Sequence, residues 1–254
     1  MPRIDLNCDM GESFGAWEMG NDDAVLEHVT SANVACGFHA GDPQTMHATV
    51  KAAFGRGVSV GAHPGFPDLQ GFGRRPMTLN KSEAYDAVLY QVGALAGFAQ
   101  AAGGRLSHVK AHGMLYNMAA KDATLAQAIA QAVRDFDRDL VFYGLAGSEL
   151  IRAAERVGLR AAGEVFADRS YQDDGSLTPR SQPGAMIEDV EASVAQVKRM
   201  VLEGMVRSVG GKDVPVKADT LCIHGDQPGA VAFARRIRAE LAQAGVEVKA
   251  LATA

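Results

Sequence analysis

Leu106-Ser107-His108-Val109-Lys110-Ala111-His112 reads as a β-strand with two unequal faces. Side chains alternate across a strand, so Val109 and Ala111 share one face while His108, Lys110 and His112 share the other. The first face suits packing against helices. The second carries an ammonium group and two imidazoles along a strand whose neighbours in sequence are all apolar or small. A lysine in such a place is either ion-paired or deprotonated, because an unpaired charge is costly to bury. Asp5, Asp9 and Glu164 are its candidate partners.

The same division recurs outward along the chain. Ile4, Leu6 and Cys8 alternate with Asp5, Asn7 and Asp9; Asn33 interrupts Ala32-Asn33-Val34-Ala35; Ser59 and His63 punctuate Val58 to His63; Glu164 sits inside Ala161 to Phe166; and Thr220 to His224 leads to Asp226. Only Leu140 to Leu145 lacks an obvious polar contribution. Helical segments lie between these strands. Asp42 with Pro43 caps one that runs to about Gly55, and Asn80 with Glu83 opens a long one to about Ala102. Others span about Asp22 to Val29, Asp122 to Phe136, a short stretch from Ser148, Glu188 to Gly204, and a last one to about Ala244. Gly93 and Gly97 are expected to let the long helix lie close to a neighbour. Val206 to Val216 reads as a β-hairpin excursion, and Val246 to Leu251 as an eighth strand or a tail.

Strand and helix thus alternate seven times with no separating linker, which predicts one parallel α/β domain over residues 1–254. A doubly wound open sheet would show near-continuous apolar strands. A shared polar parity instead predicts a closed, seven-stranded parallel β/α barrel, with the polar face in a common lumen and a site at its C-terminal mouth.

Composition narrows the function classes. With 254 residues, 47% hydrophobic, 22% charged and a net charge of −5, the chain suggests neither a nucleic-acid partner nor an anionic membrane. Cys8, Cys36 and Cys222 match no zinc or CxxC spacing, so a reduced, cytoplasmic protein is expected. Met1 leads straight into the first strand pattern, with no signal peptide. The uncharged run Ala87 to Gly104 contains Gln91, Gln100 and several glycines, which argues for a buried helix and against a membrane span.

No Walker loop, helix-opening GxGxxG, GxSxG or HExxH occurs. What remains is a constellation at strand ends. His63 stops its strand before Pro64-Gly65, and the loop that follows ends in Arg74 and Arg75. Histidine stands next to or near glycine at His39, His63, His112 and His224. Any one of these is ordinarily a structural histidine; together with the acids they mark a site. Asp9, Glu12, His39, His63, Lys110 and Glu164 are the catalytic candidates. Asn7, Asn33, Arg74, Arg75, His112, His224 and Asp226 are the substrate-binding candidates, the arginines suiting a carboxylate or phosphate. Arg169 and Arg180 are further candidates for such an anion, with ordinary loop charges as the commoner reading of both. The loop Asp168 to Ala185 is either a lid or partner contact, or a disordered connector.

Asp5 to Glu12, Ala32 to Pro43, Gly61 to Pro64 with Gly71 to Arg75, Val109 to Asn117 and Glu164 to Arg169 resemble, in order, the LamB/YcsF family. The resemblance implies a seven-stranded β/α barrel related to the glycoside hydrolase/deacetylase superfamily. It also implies one part of an ATP-dependent 5-oxoprolinase that works with companion subunits B and C. Its reaction would convert 5-oxo-L-proline, ATP and water to L-glutamate, ADP and phosphate. Because relatives in the deacetylase superfamily bind a metal through Asp and His, a divalent metal is allowed, and Asp9, His39 and His63 would be its set. Two other readings stay open: a stand-alone metal-dependent deacetylase or carbohydrate hydrolase, and a non-catalytic subunit of the complex.

Overall fold

Alternating apolar and polar residues give β1 (Arg3–Met10) one face for helices and one for the lumen. Around it run β2 (Ser31–Ala35), β3 (Ser59–His63), β4 (His108–Lys110), β5 (Val141–Leu145) and β6 (Arg160–Phe166), each parallel to the one before. The hairpin of β7 (Met205–Arg207) and β8 (Asp213–Pro215) stands apart from them. β9 (Thr220–Cys222) then pairs with both β6 and β1, closing a parallel barrel of seven strands, as the polar parity predicts. This computed structural model describes residues 1–223 and 229–251, so the expectations for His224 and Asp226 lie outside the described residues.

The helices α1 (Asp22–Val25), α2 (Pro43–Gly55), α3 (Lys81–Ala101), α4 (Gly113–Ala119), α5 (Ala123–Phe136), α6 (Glu149–Arg156), α7 (Val190–Glu203) and α8 (Ala230–Gln243) fill the connections. Asp42 accepts from the Thr45 amide at 2.8 Å with Pro43 in the first turn, and Asn80 and Glu83 form the full capping box. Ile4, Leu6, Val34, Val60, Val109, Phe142, Val165 and Leu221 belong to the main apolar core. Among the described residues no helix is long and apolar enough to cross a membrane.

Three expectations need correction. β5 does contribute to the polar lumen: the Tyr143 hydroxyl donates to Asp5 Oδ2 at 3.1 Å, and its ring stacks on His108. α1 ends at Val25, because Thr30 must reach β1, where its hydroxyl donates to Asp5 and its amide to the Leu6 carbonyl. Of the two readings of the C-terminal segment the eighth strand holds: β10 (Glu247–Val248) pairs in parallel with the first residues of β1, outside the closed ring. Gly93 and Gly97 lie on the exposed side of α3, where an added Cβ would meet nothing within 4 Å.

Gly61 is different. A Cβ built there would fall on the imidazole of His108, so the missing side chain is what lets that ring cross the lumen. Gly61→Ala is therefore expected to cost about 1–3 kcal/mol through overpacking. Gly93→Ala, in an exposed helical position, is expected to gain about 0.5–1 kcal/mol. Denaturant unfolding of the two variants checks both signs.

Candidate active site

Asp5, at the N-terminal end of the lumen, has its carboxylate surrounded by the hydroxyls of Thr30, Ser31, Tyr143 and Thr220. Burial raises its pKa, and these donors oppose the rise. Val141, Tyr143 and Ala162 pack with Leu251 in a separate small apolar cluster. One layer up, Asn7 donates to Glu164 Oε1 at 3.1 Å and to Thr220 at 2.8 Å. Asn33 donates to Asn7 Oδ1 and Asp9 Oδ1 and accepts from His108 Nε2. Each amide is thus oriented by what lies below it and presents its remaining group upward.

The layer above belongs to Lys110. Its ammonium lies 2.8 Å from Glu164 Oε1 and 2.9 Å from Asp9 Oδ1, and it also donates to Asn7 Oδ1 and Cys222 Sγ. Burial alone would push this lysine down, but the negative groups around it, Asp9 foremost, outweigh burial and hold its pKa well above the ordinary range. Lys110 is therefore paired and protonated. Asp5 is not its partner. Glu164 is fully enclosed and, besides Lys110 and Asn7, takes a third donor, the Tyr116 hydroxyl, at 2.7 Å. Asp9 keeps 18% of its side chain exposed, so it is the carboxylate of this pair that faces the mouth.

Above Asp9 four side chains converge. One ligand atom each from Glu12, His39, His63 and His112 lie within 4.8 Å of one another. His63 Nδ1 donates to the Lys110 carbonyl and His112 Nε2 to the Phe72 carbonyl, both at 2.8 Å. Phe72 holds φ at +54°, an unusual conformation for a residue with a side chain, in the turn that presents this carbonyl. With those nitrogens committed, His63 Nε2 and His112 Nδ1 face each other at 3.0 Å. Two neutral imidazoles would oppose lone pairs there, so either one takes a proton or a cation takes both. Burial, with His39 and His63 alongside, holds the His112 pKa well below the ordinary value and disfavours the proton. His39, stacked on His112 at 3.6 Å between centroids, is likewise pushed down by burial. A far nitrogen resting on a carbonyl, as at His63 and His112, leaves the near nitrogen free to ligate a metal, whereas His39 Nδ1 has no hydrogen-bond partner among the described residues.

This cluster differs from the set Asp9, His39 and His63. Glu12 and His112 complete it, while Asp9 borders it, with Oδ2 3.2 Å from His63 Nε2. The floor opens into a cavity of about 800 Å³ lined by Asp9, Glu12, His63, Arg74, Lys110 and His112. Arg74 also lies over the Phe72 ring. Arg75 does not line the cavity; it pairs with Asp68 and keeps 63% of its side chain exposed. Asn7 and Asn33 are buried among the lumen side chains and do not line it either. The loop after β6 is no disordered connector. Arg169 bridges to Met186 and Tyr171 to Leu177, and residues 176–181 form a wall of the cavity. Sequence reasoning missed Tyr116, although it lies one helical turn beyond His112, and it missed the burial of Arg169.

Removing the Lys110 ammonium strands Glu164 in the lumen. Lys110→Met is expected to destabilise the fold by about 3–5 kcal/mol, the scale of breaking one side of a buried pair. Tyr116→Phe, which removes one neutral donor from the same carboxylate, is expected to cost about 1–3 kcal/mol. Chemical denaturation measures both.

A profile of the LamB/YcsF family matches residues 4–254. The chain is 67% identical over 249 residues to a Bordetella pertussis protein named as the A subunit of 5-oxoprolinase, covering 98% of this chain and 99% of that one. It is 60% identical over 251 residues to the Bacillus subtilis protein of the same name, covering 99% and 98%. Its fold is similar to the crystal structure of a lactam utilization protein from Thermus thermophilus, with a TM-score of 0.93 and 50% identity over 98% of this chain and 100% of that one. A putative cellobiose-phosphate cleavage protein from Enterococcus faecalis, 15% identical with a TM-score of 0.58, shares the fold alone. With a match along nearly its whole length, the chain belongs to the LamB/YcsF family.

Proposed function

We propose that this chain is the A subunit of an ATP-dependent 5-oxoprolinase, acting in the cytoplasm with subunits B and C to open the lactam of 5-oxo-L-proline to L-glutamate. The observation that carries this reading is the buried Lys110, held between Asp9 and Glu164 beneath the histidine cluster. The high identity to proteins that bear the 5-oxoprolinase name supports it.

An unstrained lactam resists hydrolysis. Transfer of the γ-phosphoryl group of ATP to the amide oxygen makes the ring carbon open to water. Water then adds to that carbon, the C–N bond breaks as nitrogen takes a proton, and a second hydrolysis releases phosphate. Asp9 is the group to receive the proton of the attacking water, being the carboxylate exposed at the floor and 3.2 Å from His63 Nε2. Lys110 stabilises the negative charge that develops on oxygen, and Glu164, Asn7 and Asn33 hold Lys110 and Asp9 in place. Arg74, at the wall, receives the transferred phosphoryl group. Glu12, His39, His63 and His112 fit a divalent metal by their donor chemistry, and such an ion would supply polarisation of a carbonyl oxygen.

Glutamate formation from 5-oxoproline and ATP is the direct test: the chain alone is expected to be inactive, and the chain with B and C active. Full ATP-coupled turnover by the chain alone would overturn the division of labour, and none from the assembled set would overturn the function. The histidine cluster also favours a second reading, a stand-alone metal-dependent deacetylase, which would release acetate from acetylated sugars without ATP or partners. For the metal, calorimetric titration of chelator-treated protein with Zn²⁺ or Mn²⁺ is expected to show a site that His112→Ala weakens at least about tenfold. Undiminished binding in that variant would remove His112 from the ligand set.

A further inference from the structure

Arg169 is only 5% exposed, yet it lines the cavity. Its Nη2 donates to the Thr178 carbonyl at 2.6 Å and its Nε to the Ala185 carbonyl at 3.3 Å. Both acceptors are neutral. Among the described residues no carboxylate comes within ion-pairing distance of its guanidinium, whereas Lys110 in the same cavity has two. Burial, with Arg180 adding to it, brings its pKa down to about 10, so it still carries its charge at neutral pH. The neighbouring carboxylate of Asp168 acts the other way without outweighing burial, and a buried cation whose direct contacts are peptide carbonyls is incompletely compensated. Its guanidinium has five N–H groups, and the two carbonyls leave the rest of the fork for a further acceptor. The two carbonyls also fix its plane, which is the preparation that bidentate binding of a planar oxyanion needs.

We propose that Arg169 anchors an oxyanion, a carboxylate or a phosphate, on the small molecule that enters this cavity. The identity of that molecule rests on the reading as part of a 5-oxoprolinase; the oxyanion anchor itself does not. On that reading the anchored group is the carboxylate of the lactam acid. The anchor then separates 5-oxoproline from neutral lactams of the same ring size, a discrimination by charge that an apolar wall cannot provide.

Calorimetry on the full chain with 5-oxo-L-proline, pyrrolidin-2-one and inorganic phosphate tests this. The two lactams differ in the carboxylate, and phosphate carries no lactam. The wild type is expected to bind 5-oxoproline at least about tenfold more tightly than pyrrolidin-2-one. Arg169→Gln is expected to abolish that preference while leaving pyrrolidin-2-one within about twofold, and Arg169→Lys to fall between. Phosphate binding that depends on Arg169, with neither lactam bound, would support the anchor, assign it to phosphate and count against the lactam reading. Oxyanion binding undiminished in Arg169→Gln, or no oxyanion binding to the wild type, would overturn the proposal. Should Arg169→Gln not fold, the wild type answers alone. The Arg169 Nε–H resonance, assigned through Arg169→Lys, must shift with 5-oxoproline or phosphate and stay in place with pyrrolidin-2-one; an Arg169 signal unmoved by either oxyanion refutes the anchor.

Discussion

A single ammonium group, that of Lys110, organises the interior of this barrel. It lies between Asp9 and Glu164 at the level where the lumen meets the cavity. Asn7 accepts from Lys110 and donates to Glu164, and Asn33 bridges Asn7 to Asp9. His108 in turn is held by Asn33 and stacked on Tyr143, whose hydroxyl ends on Asp5. The network therefore runs from the layer of Asp5 to the mouth through matched donors and acceptors, with His108 Nδ1 left without a hydrogen-bond partner among the described residues. Such networks are worth having only when nearly complete, since a half-satisfied one is more costly than an apolar core. The lumen's polarity is thus a constraint on the fold as much as a provision for chemistry.

The same lysine links the two halves of the site. Its side chain holds Asp9 and Glu164 while its backbone carbonyl takes the Nδ1 proton of His63. That bond turns His63 Nε2 toward His112 and Glu12. Phe72, in its left-handed turn, does the same for His112 from the other side. A conformation that costs an ordinary residue roughly 1 kcal/mol is kept where it fixes the tautomer of a site histidine. Glycine contributes through absence: a Cβ at Gly73 would come within 2.7 Å of the His112 ring and 2.8 Å of His39 Cβ. Gly61 and Gly73 thus each make room for a histidine remote in sequence, His108 for one and His112 with His39 for the other.

What was legible in the sequence follows from what is local. Alternation is a property of a single strand, so the parity of Asp5, Asn7 and Asp9 or of His108 and Lys110 foretold a polar lumen and a closed barrel. The caps at Asp42 and Asn80 are equally local. Tyr143 escaped because its ring counted as apolar while its hydroxyl carried the polar contact. The surroundings of Arg75 and Arg169 have a tertiary cause: the partner of each, Asp68 for one and the carbonyls of Thr178 and Ala185 for the other, is chosen by loop folding. The membership of Glu12 and His112 in the histidine cluster, with Asp9 left to Lys110, depends on how a loop and a helix N-terminus meet above the strands. No spacing rule encodes that meeting.

On the proposed function stability and chemistry both run through Lys110, and a compensated variant separates them. Lys110→Met combined with Glu164→Gln removes the ammonium together with the charge it would strand. Turnover of this double variant in the assembled enzyme, measured beside its thermal unfolding, is the most direct test. The account predicts a melting temperature near that of the wild type and turnover lowered about 10²–10³-fold, the scale of losing one donor to a developing anion. A compensated variant that melts normally and turns over at the wild-type rate would contradict it.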